Sequence, residues 1–126
     1  MVYSLGSLNW EIYQCITDRY ITNEVVITEE QLKHIKKRHQ EAYQDVLYYL
    51  KETLDSPDYI VKDSHPDTGL VIKEIRREAM ISLLVLKIAT SSDKNGYKNS
   101  VISGWKITEK RLKNYLRNKK LIYKKE

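Results

Sequence analysis

Apolar positions recur along this chain with two different periods, and the switch between them divides it into elements. Glu24-Val-Val-Ile-Thr28 is short and β-branched, which predicts a strand. Thr28 then reads as a helix N-cap, with Glu29 and Glu30 in the first turn and Gln31 three residues on, the pattern of a capping box. Beyond it Leu32, Ile35, His39, Ala42, Val46 and Leu50 follow at steps of three and four, one face of an amphipathic helix. That spacing predicts a helix from about Glu29 to about Thr53, with a break near Gln40 allowed, closed by Ser56-Pro57.

The second half changes to strand periodicity. Asp58–Lys62, Leu70–Arg76, Met80–Thr90 and Asn99–Ile107 are four strand candidates, with Pro66-Asp-Thr-Gly69 as a turn and Ser91–Gly96 as a loop. Met80–Thr90 is apolar on both alternating faces, as a central strand covered on both sides would be. Short connections favour an antiparallel meander. Thr108 and Arg111–Asn118 predict a short basic helix, and Leu121–Tyr123 a last extended piece. The expected fold is α+β: a long N-terminal helix packed on a four-stranded antiparallel sheet, with a short basic C-terminal helix. One domain over residues 1–126 is expected, since no repeat or linker interrupts the chain.

Charge sharpens this picture. Residues 94–126 hold 11 Lys/Arg against 2 Asp/Glu, a net +9, while residues 1–93 sum to −4. A basic tail on a near-neutral body suits a polyanion, nucleic acid before a membrane surface; the alternative is a solvated face kept for solubility. The one cysteine, Cys15, cannot form an internal disulfide and lies among apolar neighbours, as a buried thiol would. No apolar run is long enough to span a membrane and no signal peptide is visible, so a cytoplasmic location is expected.

The candidate chemistry gathers in a few places. His34-Ile-Lys-Lys-Arg-His39 puts His34 and Arg38 on one helix side and His39 in the apolar stripe. A zinc pair would need histidines four apart and a third ligand, which excludes a metal site here. His39 is either a core histidine or a proton carrier among cations. Lys73 and Lys87 interrupt apolar strands, where an ammonium must be paired, reach solvent or meet an anion. Ser103, assigned by simple alternation to the face of Asn99, Val101 and Trp105, offers a hydroxyl beside an aromatic. Four glycines form no phosphate loop and no nucleophile elbow is present, so nucleotide-dependent enzymes and serine hydrolases are excluded.

Taken in order, these segments resemble the phage-encoded nucleases of the barnase–EndoU–colicin–RelE-like fold. The likeness runs from Glu11-Ile-Tyr-Gln-Cys-Ile16 and Glu24–Thr28 through His34–His39, Pro57-Asp-Tyr-Ile60 and Pro66-Asp-Thr68 with Leu70–Ile75. It continues in Tyr97–Ser103 and Arg117–Tyr123. The resemblance implies a helix on a four-stranded sheet and metal-independent RNA cleavage without a cofactor. Its helix histidines, strand cation and last-strand hydroxyl fall on His34, Arg38, His39, Lys73 and Ser103. Of these, His34, His39, Lys73 and Ser103 are the expected catalytic residues. Arg38, Asn99, Ser100, Arg117, Lys119 and Lys120 are the expected substrate contacts. Two departures stand out: Ser103 replaces an expected threonine, and Asp67 an expected asparagine. RNA is the expected partner, with a protein antitoxin or phage protein second, and no membrane. The rival reading is a non-catalytic binding module on the same fold.

Overall fold

Thr28 ends one element and begins another. In the computed structural model, which describes residues 1–126, strands β1 (Val2–Ser7) and β2 (Glu24–Thr28) flank a short helix α1 (Trp10–Tyr13). Helix α2 (Glu29–Arg38) starts directly from β2. Its capping box is complete. The Gln31 N–H donates to Thr28 Oγ1 at 3.1 Å, and the Thr28 N–H donates to Gln31 Oε1 at 2.9 Å.

The chain does not adopt one long helix on a four-stranded antiparallel sheet. Helix α2 stops at His39, whose φ of −130° and ψ of 51° leave the helical region. Helices α3 (Tyr43–Tyr48) and α4 (Leu50–Asp55) follow, separated at Tyr49. The apolar stripe survives both breaks: Ile35, Ala42, Val46 and Leu50 are all buried. A straight helix over Glu29–Thr53 would be about 37 Å long, longer than the roughly 30 Å of a nine-residue strand. Three short pieces keep the stripe on a sheet that one rod would overshoot.

The sheet has seven strands in the order β1-β2-β6-β5-β4-β3-β7. Strands β3 (Tyr59–Lys62), β4 (Thr68–Ile75), β5 (Met80–Lys87) and β6 (Asn99–Ile107) form an antiparallel meander, and β5 lies at the centre. Three further strands extend it. Strand β7 (Leu121–Lys124) pairs with β3, and β2 joins β6 in parallel with β1 outside it. The parallel pair makes the sheet mixed, and it is allowed because most of the chain lies between its members.

Cross-strand pairs assign the two faces. Ser82, Leu84 and Leu86 look toward α1–α4, where the larger core gathers Tyr13, Ile35, Val46, Leu54, Ile60 and Val71. Ile81, Leu83 and Val85 look the other way. There α5 (Glu109–Asn118) lays Leu112 against Val61, Leu70, Ile72, Ile81 and Leu83. The N-cap of α5 is Thr108, whose Oγ1 accepts the Arg111 N–H at 3.1 Å. No helix is long and apolar enough to cross a membrane.

Candidate nucleic-acid interface

β2 pairs with β6 only at Val25–Asn99 and Val26–Ser100. Past Ser100 that side of β6 has no neighbouring strand, and α2, the continuation of β2, packs against it instead. Two contacts give the register of helix on strand. Gln31 and Ser100 line one cleft, and the His39 ring stacks on the Trp105 ring with centroids 5.0 Å apart and planes 25° apart. Gln31 to His39 advances about 12 Å while Ser100 to Trp105 advances about 16 Å, so helix and strand run side by side. His34, Ile35 and Arg38 fall between the anchors, along the stretch that holds Ser103.

A bulge determines what this strand presents. Val85 pairs with Ser103 but Leu86 pairs with Val101, leaving Ile102 as the extra residue. Val85 and Leu86 face opposite ways, so Ser103 and Val101 do too. Simple alternation put Ser103 with Asn99, Val101 and Trp105. The bulge keeps it with Trp105 and transfers it away from Asn99 and Val101, onto the face of α5. Ser100 and Lys87 are cross-strand partners on that same face. The Lys87 ammonium donates to the Ile88 carbonyl at 2.9 Å and sits 3.6 Å from Asp93.

The candidate residues divide accordingly. His39, partly buried, and Ser103, 8 % exposed, lie on either side of Trp105: one stacked on its ring, the other two residues back on its strand. His34 and Arg38 are exposed, one turn apart on the flank that begins at Gln31. Arg117 lines a groove of about 400 Å³ on α5 with Lys110, Lys113 and Asn114, all exposed. Lys119 lies over the Tyr115 ring at 5.5 Å, and exposed Lys120 follows it into β7.

Two candidates stand elsewhere. Lys73 pairs across the sheet with Ser82, whose hydroxyl accepts from Thr53 of α4, so it lies on the opposite face from Ser103. Its ammonium donates to the Ser56 carbonyl at 2.7 Å, capping the C-terminal end of α4. Asn99 is fully buried: its Oδ1 accepts the Ala89 N–H and its Nδ2 donates to the Thr22 carbonyl, both at 2.8 Å. Both side chains hold loops and helix ends in place. Asp67, with φ of 54°, adopts the left-handed turn geometry that Asn and Asp tolerate, and Arg19 pairs with it at 3.2 Å. Burial pushes the Cys15 thiol up to about 11, so at neutral pH it is not a thiolate nucleophile. Sequence reasoning missed the cleft beside Gln31, although the capping box had already marked one of its walls.

The chain matches the model of the phage-Barnase-EndoU-ColicinE5/D-RelE like nuclease 2 family over residues 7–124, and it belongs to that family. No curated protein and no solved structure matches it.

Proposed function

We propose that the protein is a metal-independent endoribonuclease whose site lies along the α2–β6 edge. The observation that carries this reading is the His39 imidazole fixed on Trp105 with the Ser103 hydroxyl on the same strand, at a sheet edge left open by β2. In RNA cleavage of this kind the ribose 2′-oxygen forms a bond to the adjacent phosphorus and the bond from phosphorus to the 5′-oxygen breaks. One group takes the 2′ proton and another returns a proton to the leaving 5′-oxygen. His39 is one proton carrier, its ring oriented by the indole. The second is His34, one turn up the helix flank from Arg38. Arg38 supplies positive charge to the phosphorane, and Ser103 donates a hydrogen bond to a phosphate oxygen.

The rest of the surface supports this reading. Helix α5 packs through Leu112 on the sheet side that Ser103 and Trp105 share and turns Lys110, Lys113 and Arg117 to solvent, giving salt-sensitive affinity for successive phosphates. No three His, Cys, Asp or Glu side chains gather where they could hold a metal ion, which supports a mechanism in which side chains supply the charge that stabilises the transition state. The test is RNA cleavage in EDTA by the wild type and by His39→Asn. The variant is expected to lose roughly 10²–10⁴-fold in turnover while still binding RNA. RNA that is bound but never cut by the wild type would instead identify a binding module on a nuclease fold.

A further inference from the structure

We propose that the cleft between Tyr97 and Gln31 is a nucleobase subsite that prefers a base with a carbonyl at position 4 of a pyrimidine or 6 of a purine, uracil or guanine, over one with an amine there, cytosine or adenine. The proposal rests on the RNA reading above and adds to it the choice of base. The cleft, about 560 Å³, opens at the start of the α2–β6 edge. Val2 and Val26 give it apolar surface, and Tyr97, 53 % exposed, offers an aromatic face for stacking. The one cation in its lining, Lys98, is paired with Glu24 at 2.7 Å. An apolar, aromatic, charge-compensated cleft suits a base and not a phosphate.

Its polar groups discriminate among bases. Gln31 lines the cleft, and the capping box settles which end of its amide is which: the Thr28 N–H can donate only to the oxygen. The Nε2 amine therefore keeps its N–H donors, and none of them has a partner within the protein. A donor at the edge of a base donates to the carbonyl oxygen at position 4 of uracil or 6 of guanine. It meets another donor at the amine of cytosine or adenine. Ser100, a second lining residue, can donate or accept and does not oppose this choice. Gln31 lies one turn before His34, and Ser100 three residues before Ser103. A nucleotide with its base in the cleft thus places its 3′-phosphate toward the proposed cleavage residues.

The test is an NMR titration of the full chain with uridine 3′-phosphate and, separately, cytidine 3′-phosphate, which requires no turnover. The wild type should bind the uridine nucleotide about tenfold more tightly, as one hydrogen bond gained against one unpaired donor implies. The shifts should centre on Gln31, Tyr97 and Ser100. Gln31→Glu keeps an oxygen for the Thr28 N–H, so the helix start is preserved, but replaces the free donors with an acceptor. It should bring the uridine-to-cytidine ratio to one or below. Tyr97→Ala should weaken both nucleotides alike and leave the ratio unchanged. Equal affinities in the wild type, an unchanged ratio in Gln31→Glu, or shifts away from the cleft would overturn the proposal. A protein that shows the ratio but leaves RNA intact keeps the subsite and refutes the nuclease mechanism. One that cuts RNA without the ratio refutes the subsite alone.

Discussion

Replacing Lys73 with methionine separates a structural lysine from a catalytic one. The Lys73 ammonium donates to the Ser56 carbonyl at 2.7 Å, where α4 ends and its partial negative charge is concentrated. Methionine keeps most of the unbranched stem, so packing against the sheet changes little. What is lost is one charge-assisted hydrogen bond, and the carbonyl is left without its donor. Such bonds contribute about 1.5–3 kcal/mol; because Lys73 is only partly buried, a loss of about 1–3 kcal/mol is expected. For a chain of this size that lowers Tm by about 4–12 °C. Urea unfolding should show a lower midpoint with an unchanged m-value, since the surface exposed on unfolding is the same. RNA cleavage at 25 °C, well below the transition, should stay within about threefold of the wild type. A Tm that holds while turnover falls a hundredfold would refute this reasoning and place Lys73 on the phosphate.

Gly104→Ala probes how tightly α3 sits on the sheet. A Cβ there would lie 2.8 Å from Leu84 Cδ2, 3.0 Å from Val46 Cγ1 and 3.2 Å from the Leu83 carbonyl oxygen. Calorimetry should register about 1–3 kcal/mol of destabilisation, partly relieved by Val46→Ala; an unchanged melting curve would mean α3 is not seated there. Acid stability probes Asp93, whose carboxyl is held below the usual range by the Thr90 N–H, outweighing its desolvation, and by Lys87. A depressed folded value means its contribution is complete above the unfolded value near 3.9 and is lost as pH falls through the lower folded value. Thermal melts from pH 5 to pH 2.5 should therefore converge for wild type and Asp93→Asn at the acid end, and parallel curves would contradict the assignment.

Features set by neighbours in the chain were legible, and those set by distant partners were not. The capping box at Thr28–Gln31 and the basic helix after Thr108 depend on residues three or four apart. The break allowed near Gln40 falls at His39, whereas the one at Tyr49 was hidden because the apolar spacing from Val46 to Leu50 continues through it at a step of four. β1 carries almost no buried residue, so Val2–Ser7 shows no buried–exposed alternation to mark it as a strand. The bulge at Ile102 exists only relative to Val85 and Leu86, and no pattern within Asn99–Ile107 announces it. It also reassigns Ser103 to the face of α5. The expectation that a lysine inside an apolar strand is paired, reaches solvent or meets an anion left the outcome for Lys73 open, because its partner is a backbone carbonyl at the end of α4, with no signature in the sequence.

The central claim is cleavage through the 2′-hydroxyl without a metal ion. The measurement that tests it most directly uses a labelled RNA and the same sequence with one ribose replaced by deoxyribose, both incubated with the full chain in excess EDTA. The account predicts that the RNA is cut to fragments ending in 2′,3′-cyclic phosphate, that the deoxy position is spared, and that His39→Asn abolishes the product ladder. Cleavage that requires a divalent ion, or that proceeds equally well at the deoxy position, would contradict it.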